Sequence, residues 1–265
     1  IIAVLFLELI IIIQEGGHFF AAKIVGIKVN EFSIGMGPKI FQIKGKETDF
    51  TLRWILFGGY CAMEGESEES DDARSFSKKK VSQRFFVVVA GAIMNLLLGF
   101  LIVVIMTGAG NLVGTSTIAK FDNNAVSSSA LKSGDVIKSI DGMRVYTATD
   151  VTTGLSRSPD DTIDFVVLRD GKQKKVTAKF DMEKYQGKNY IKMDFWLYGK
   201  KKTVSNVITA SAKEWVSYAR MVFLSVHDLI VGRYGISDLS GPVGAVSVVS
   251  SAVKVGFTSV LRIMA

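Results

Sequence analysis

The sequence predicts an α-helical integral membrane protein with a membrane-associated β-loop inserted between its first two helices and an α+β module after them. Three observations carry this. Two apolar runs, residues 1–25 and Phe85–Met106, are long enough to cross a bilayer, which takes roughly 20 residues as helix. Between them the apolar period changes from helical to alternating, and beyond them alternating runs are punctuated by Asp-Gly turns. The bulk composition agrees: 48% of the 265 residues are hydrophobic, yet 22% are charged, and mean hydropathy is +0.31. Apolar and charged residues must therefore be segregated along the chain. A net charge of +7 suits nucleic acid or anionic lipid. The apolar spans assign it to loops facing a lipid bilayer, with no nucleic-acid partner. Cys61 is the single cysteine, so no internal disulfide can form. The chain starts and stops inside apolar runs, as a fragment would.

The first helix, residues 1–25, carries Gln14-Glu15-Gly16-Gly17-His18. Glu15 and His18 are three residues apart and Gln14 and His18 four, so all three share a face. A carboxylate and an imidazole amid Leu9–Ile13 and Phe19–Ala22 are costly there and point to function. The pattern is one residue short of His-Glu-x-x-His, in which two His hold zinc and the Glu is the general base. Here Gln14 stands at the first His position. Glu8, seven residues before Glu15, reads as a residue near the outer surface or as a second polar group near the site.

Residues 27–60 follow. Lys28–Ile34 and Ile40–Lys44 alternate around a Gly35-Met36-Gly37-Pro38 turn, and Asp49–Ile55 forms a third stretch before Gly58-Gly59. This is a small antiparallel sheet, either a plain interfacial hairpin or an edge strand able to take an extended peptide by strand addition. Residues 61–84 form a solvated charged loop, acidic from Glu64 to Asp72 and basic from Arg74 to Arg84; the positive-inside rule puts it in the cytoplasm. In the second helix, 85–106, Gly91 and Asn95 share a face. Asn95 is an interhelical hydrogen-bonding residue or a donor to a developing oxyanion. Residues 113–198 form the α+β module, with a hairpin turn at Asp170-Gly171, on the opposite side of the membrane. Residues 199–265 form a C-terminal membrane part, with a third membrane helix over Trp215–Val231 that must accommodate Arg220, His227 and Asp228.

Taken together, these segments resemble the site-2 protease family of intramembrane zinc metalloproteases, of the bacterial RseP/RasP type with one PDZ domain. Gln14–Phe19 matches the zinc motif except at its first position, and Phe32–Pro38 matches the segment after the first helix. Phe57-Gly58-Gly59-Tyr60, with Met63 and Gly65-Glu66, matches the family's β-loop. Ala90–Asn95 matches the second-helix motif, and Ala130–Ile137 with Ile140 and Gly142 looks like a PDZ domain, although Ala130 sits where Gly is usual. Leu239–Gly244 matches a Ser-Gly-Pro stretch.

The resemblance implies Zn2+ as cofactor, Glu15 as general base, and His18 and position 14 as metal ligands. It also implies that Gly58, Gly59 and Tyr60 bind substrate, and that Asn95 supports the substrate backbone or oxyanion. It further implies transmembrane protein substrates and an inner-membrane location, with the PDZ-like domain outside the cytoplasm acting as a size filter. The family's third ligand, an Asp in a Leu-Asp-Gly motif, has no counterpart here. An amide oxygen is a poor zinc ligand beside imidazole, so zinc binding is expected to be weakened or lost. Three explanations fit Gln14: an engineered or recorded change in an active enzyme, a natural pseudoprotease that still binds helices, or zinc held differently, with His227.

Overall fold

The computed structural model describes residues 2–158, 160–185 and 188–232. The Ser-Gly-Pro stretch at 239–244 and the rest of the chain to 265 lie outside them. The described residues fall into two compact units that meet in sequence between Ile102 and Val103.

In the first unit, α1 (Ile2–Ile24) and α2 (Val81–Ala109, which runs on into the second unit) are both long and apolar enough to cross a membrane. Between them run β1 (Val29–Lys44) and β2 (Asp49–Met63). Their register is more elaborate than a hairpin. Glu31 lies opposite both Ala62 and Asp49, Phe32 opposite Cys61 and Phe50, and Ile34 opposite Gly59 and Leu52. Lys39–Lys44 then pairs with Arg53–Asp49. The two long strands bend back on themselves and make four paired segments in the order 59–63, 29–34, 49–53, 39–44. The bends fall at positive-φ glycines, Gly35 (φ 80°) and Gly37 (φ 80°) in β1 and Gly58 (φ 117°) in β2, a region that disfavours any side chain. Met36, Ile40, Phe41, Trp54, Ile55 and Phe57 are exposed on this loop, an apolar surface suited to lipid.

The charged segment after β2 keeps Glu66, Glu68, Glu69, Asp71, Lys78 and Lys80 exposed, as expected of a solvated loop, and is also tied down at several points. Glu64 accepts from Asn30 (2.9 Å) and Ser70 (2.6 Å), and Arg74 pairs with Glu47 at 2.7 Å, which Lys23 also holds. Phe76 packs against the cluster of Ala21, Ala22, Ile27, Val29 and Val87. Charge complementarity with the base of the β-loop, which sequence periodicity does not encode, accounts for these ties.

The second unit is built on a sheet of order β10-β3-β4-β6-β7, with β5 on β4. The strands are β3 (Leu112–Phe121), β4 (Val136–Ile140), β5 (Met143–Arg144), β6 (Thr162–Arg169), β7 (Lys172–Lys179) and β10 (Phe195–Lys201); β8 (Met182–Tyr185) and β9 (Lys188–Ile191) pair separately. β6 and β7 join through Asp170 (φ 53°) and Gly171 (φ 74°), a turn whose twist suits a two-residue hairpin. Ile118, Leu131, Ile137, Ile163, Phe165 and Phe180 are among the buried core residues. Helix α3 (Ala148–Arg157) adds Val151 and Leu155 to that core and starts at a capping box formed by Thr147 and Asp150.

The membrane helix expected over Trp215–Val231 falls on α4 (Val204–Ile230) and its C-cap Val231; among the described residues, α4 is not one of the two helices that are long and apolar enough to cross a membrane. The charges that made a span costly have partners on α3: Arg220 binds Asp150, and Arg157 binds Asp228, which is 1% exposed. Ser217 Oγ also donates to Asp150 at 3.0 Å. These contacts clip α4 to α3 and satisfy the buried carboxylates within the protein.

Asp135 shows the same economy. It is 1% exposed, and Arg169 reaches both its oxygens at 2.7 Å while Lys132 N–H donates at 2.9 Å. Burial pushes its carboxyl up, but these bonds, led by Arg169, outweigh that and hold it below the usual value of 3.8. Because the folded value is the lower one, this stabilisation is present in full above about pH 4 and is lost as pH falls through the depressed value. Replacing Arg169 with Ala strands the buried carboxylate and is expected to cost about 3–5 kcal/mol, read as a lower melting temperature of the α+β unit by circular dichroism.

Candidate active site between the first two helices and the β-loop

Gln14, Glu15 and His18 project from one face of α1 onto α2 and the second strand of the β-loop, all half-buried. His18 Nδ1 lies 2.8 Å from the Val87 carbonyl of α2. A carbonyl only accepts, so Nδ1 carries a proton and donates this bond. Room for the ring comes from Gly91: a Cβ there would stand 2.3 Å from His18 Nε2. One residue earlier in α1, a Cβ on Gly17 would meet the Ala90 carbonyl at 2.7 Å, so two glycines let the helices approach.

The Glu15 carboxylate has the His18 imidazole and the Cys61 backbone N–H as neighbours. Segment 59–63 of β2 runs beside it: a Cβ on Gly59 would lie 3.8 Å from Glu15 Cγ and 3.6 Å from Ile11 Cγ2. Asn95 Nδ2 donates to Gln14 Oε1 at 3.0 Å, and Asn95 Oδ1 is buried without a hydrogen-bond partner. The amide at position 14 is thus tied to the second helix.

The structure therefore gathers Gln14, Glu15, His18, Asn95 and Gly59 into one place. Gly58 and Tyr60 are committed elsewhere. Gly58 N–H donates to Glu8 at 3.0 Å, and Tyr60 Oη accepts from Arg53 at 2.6 Å, with the guanidinium over its ring. Glu8, read from sequence as a residue near the outer surface or near the site, is buried at 5% exposure and binds the β-loop. No local signal marks that role, because its partners are backbone groups of distant residues. His227 is exposed on α4, with Nδ1 3.6 Å from Asp228.

A catalytic zinc takes three protein ligands and one open position. Among the described residues, this site offers one imidazole nitrogen and one amide oxygen already bonded to Asn95, and no group of three His, Cys, Asp or Glu side chains that could hold a metal. These donors do not complete a zinc site.

The model of peptidase family M50 matches residues 2–265. The chain belongs to peptidase family M50. This is the site-2 protease family, whose members are membrane proteins. Two relatives named "Putative zinc metalloprotease" align with the whole chain. That of Clostridium acetobutylicum is 33% identical and aligned over 78% of its length; that of Clostridium perfringens is 30% identical and aligned over 79%. The Regulator of sigma-W protease RasP of Bacillus subtilis is 23% identical over 97% of this chain and 80% of its own. For this M50 chain the glycine at position 91 is the tightest steric constraint of the site. Gly91→Ala is expected to displace His18, costing about 1–3 kcal/mol of stability, measured by thermal unfolding in detergent.

Proposed function

We propose that this chain is an intramembrane peptidase of the site-2 type acting on single-pass membrane proteins, such as anti-sigma factors or signal-peptide remnants. The observation that carries the reading is the run of segment 59–63 alongside Glu15. Among the described residues this segment pairs with 29–34 on one side only, which makes it an edge. A substrate helix shields its carbonyls by hydrogen bonds, so a scissile peptide must unwind before attack; an edge strand can hold the unwound segment by backbone pairing. Glu15 then takes a proton from the attacking water and returns it to the leaving amine. His18, anchored through Nδ1 to the Val87 carbonyl, shares the face of α1 with Glu15, and Asn95 supports the substrate backbone through the N–H not given to Gln14. The α+β module, read as PDZ-like and outside the cytoplasm, limits which substrates approach.

A second reading is favoured by one observation, the Asn95–Gln14 bond. It closes the first ligand position with an amide pair, as a pseudoprotease that holds membrane helices without cutting them would. Zinc content and cleavage separate the two. Gln14→His is expected to raise bound zinc toward one per chain and to raise cleavage of a membrane-helix substrate by more than about 10–100-fold, the range for losing a mere supporting group. Glu15→Gln in that background is expected to abolish cleavage while zinc stays. Zinc already at one per chain, and unchanged by Gln14→His, would sink the ligand argument. Full zinc loading by Gln14→His with no cleavage would favour the holding function.

A further inference from the structure

The buried carboxylate that the peptidase reading leaves unused is Glu8. It sits in the apolar stretch of α1, two helical turns before Glu15, at 5% exposure. A carboxylate there is costly unless its oxygens are satisfied. They are: Oε1 accepts from Gly35 N at 3.1 Å and Oε2 from Gly58 N at 3.0 Å. The two donors are not neighbours in sequence. Gly35 lies at the bend of β1 and Gly58 at the bend of β2, both at positive φ. The ladder register shifts between Ile34 and Met36, so backbone groups leave the regular pairing at this point. One side chain thus fastens both bends of the loop to the helix that carries Glu15.

We propose that Glu8 is a positioning residue: its carboxylate clamps the bends of the β-loop to α1 and so sets where the edge segment 59–63 stands relative to Glu15. Geometry supports the link. Gly59, next to the clamped Gly58, is the residue whose Cβ would lie 3.8 Å from Glu15 Cγ. A shift of the bend by one ångström moves the edge by a similar amount, because Gly58 and Gly59 share a peptide plane. This rests on the peptidase reading for its consequence, but the clamp itself does not.

The test uses the full chain in lipid nanodiscs with two variants, Glu8→Ala, which removes both acceptors, and Glu8→Gln, which keeps one carbonyl oxygen. Amide hydrogen exchange reports the clamp. Glu8→Ala is expected to speed exchange about tenfold or more in peptides covering 33–37 and 55–60, with 113–180 unchanged, because bonds to a charged acceptor are lost. Glu8→Gln is expected to give an intermediate rate. Capture reports the consequence: a photo-crosslinker at Ala62 and a single-pass membrane peptide with a helix-weakened segment should lose yield several-fold in Glu8→Ala and partly recover in Glu8→Gln. Unchanged exchange in both loop peptides would overturn the clamp. Faster exchange with unchanged capture would overturn the positioning role. Capture absent in the unmutated chain would overturn the peptidase reading instead, and the exchange rates would still decide the clamp.

Discussion

The structure depends on satisfying polar groups inside an apolar helix. Glu8, Gln14, Glu15 and His18 would each be expensive in α1 alone. Each is answered by a different neighbour: two loop amides for Glu8, Asn95 for Gln14, the Cys61 amide beside Glu15, and the Val87 carbonyl for His18. The β-loop and α2 are therefore held to α1 by the same groups that would do chemistry.

Steric economy makes those contacts possible. Gly17 and Gly91 bring α1 and α2 within reach of His18 and Val87, and a methyl group at either would meet atoms closer than 3 Å. Apolar packing around Ala21, Ala22 and Val87 then excludes water from the helix interface on one side of the site.

The second unit follows the same logic with different parts. Asp135, Asp150 and Asp228 are buried carboxylates, and each is held by an arginine brought from another element. Asp150 also caps α3, so the start of that helix and its attachment to α4 rest on one side chain. These pairs specify how elements meet, since a misplaced helix would leave a charge unpaired in a dry site.

Periodicity and motif spacing were enough for the two apolar helices, the alternating loop, the Asp170-Gly171 hairpin, and the shared face of Gln14, Glu15 and His18. All of these are local: they follow from 3.6-residue and 2-residue repeats and from turn chemistry. What tertiary structure alone decided is which backbone groups the polar side chains meet. Glu8 on Gly35 and Gly58, Asn95 on Gln14, and Arg220 of α4 on Asp150 of α3 all join residues 27 to 81 positions apart, and β1 and β2 fold into four paired segments whose order no simple repeat announces. A hydropathy pattern reports how much a residue would cost in lipid. It carries no information on whether a distant partner removes that cost.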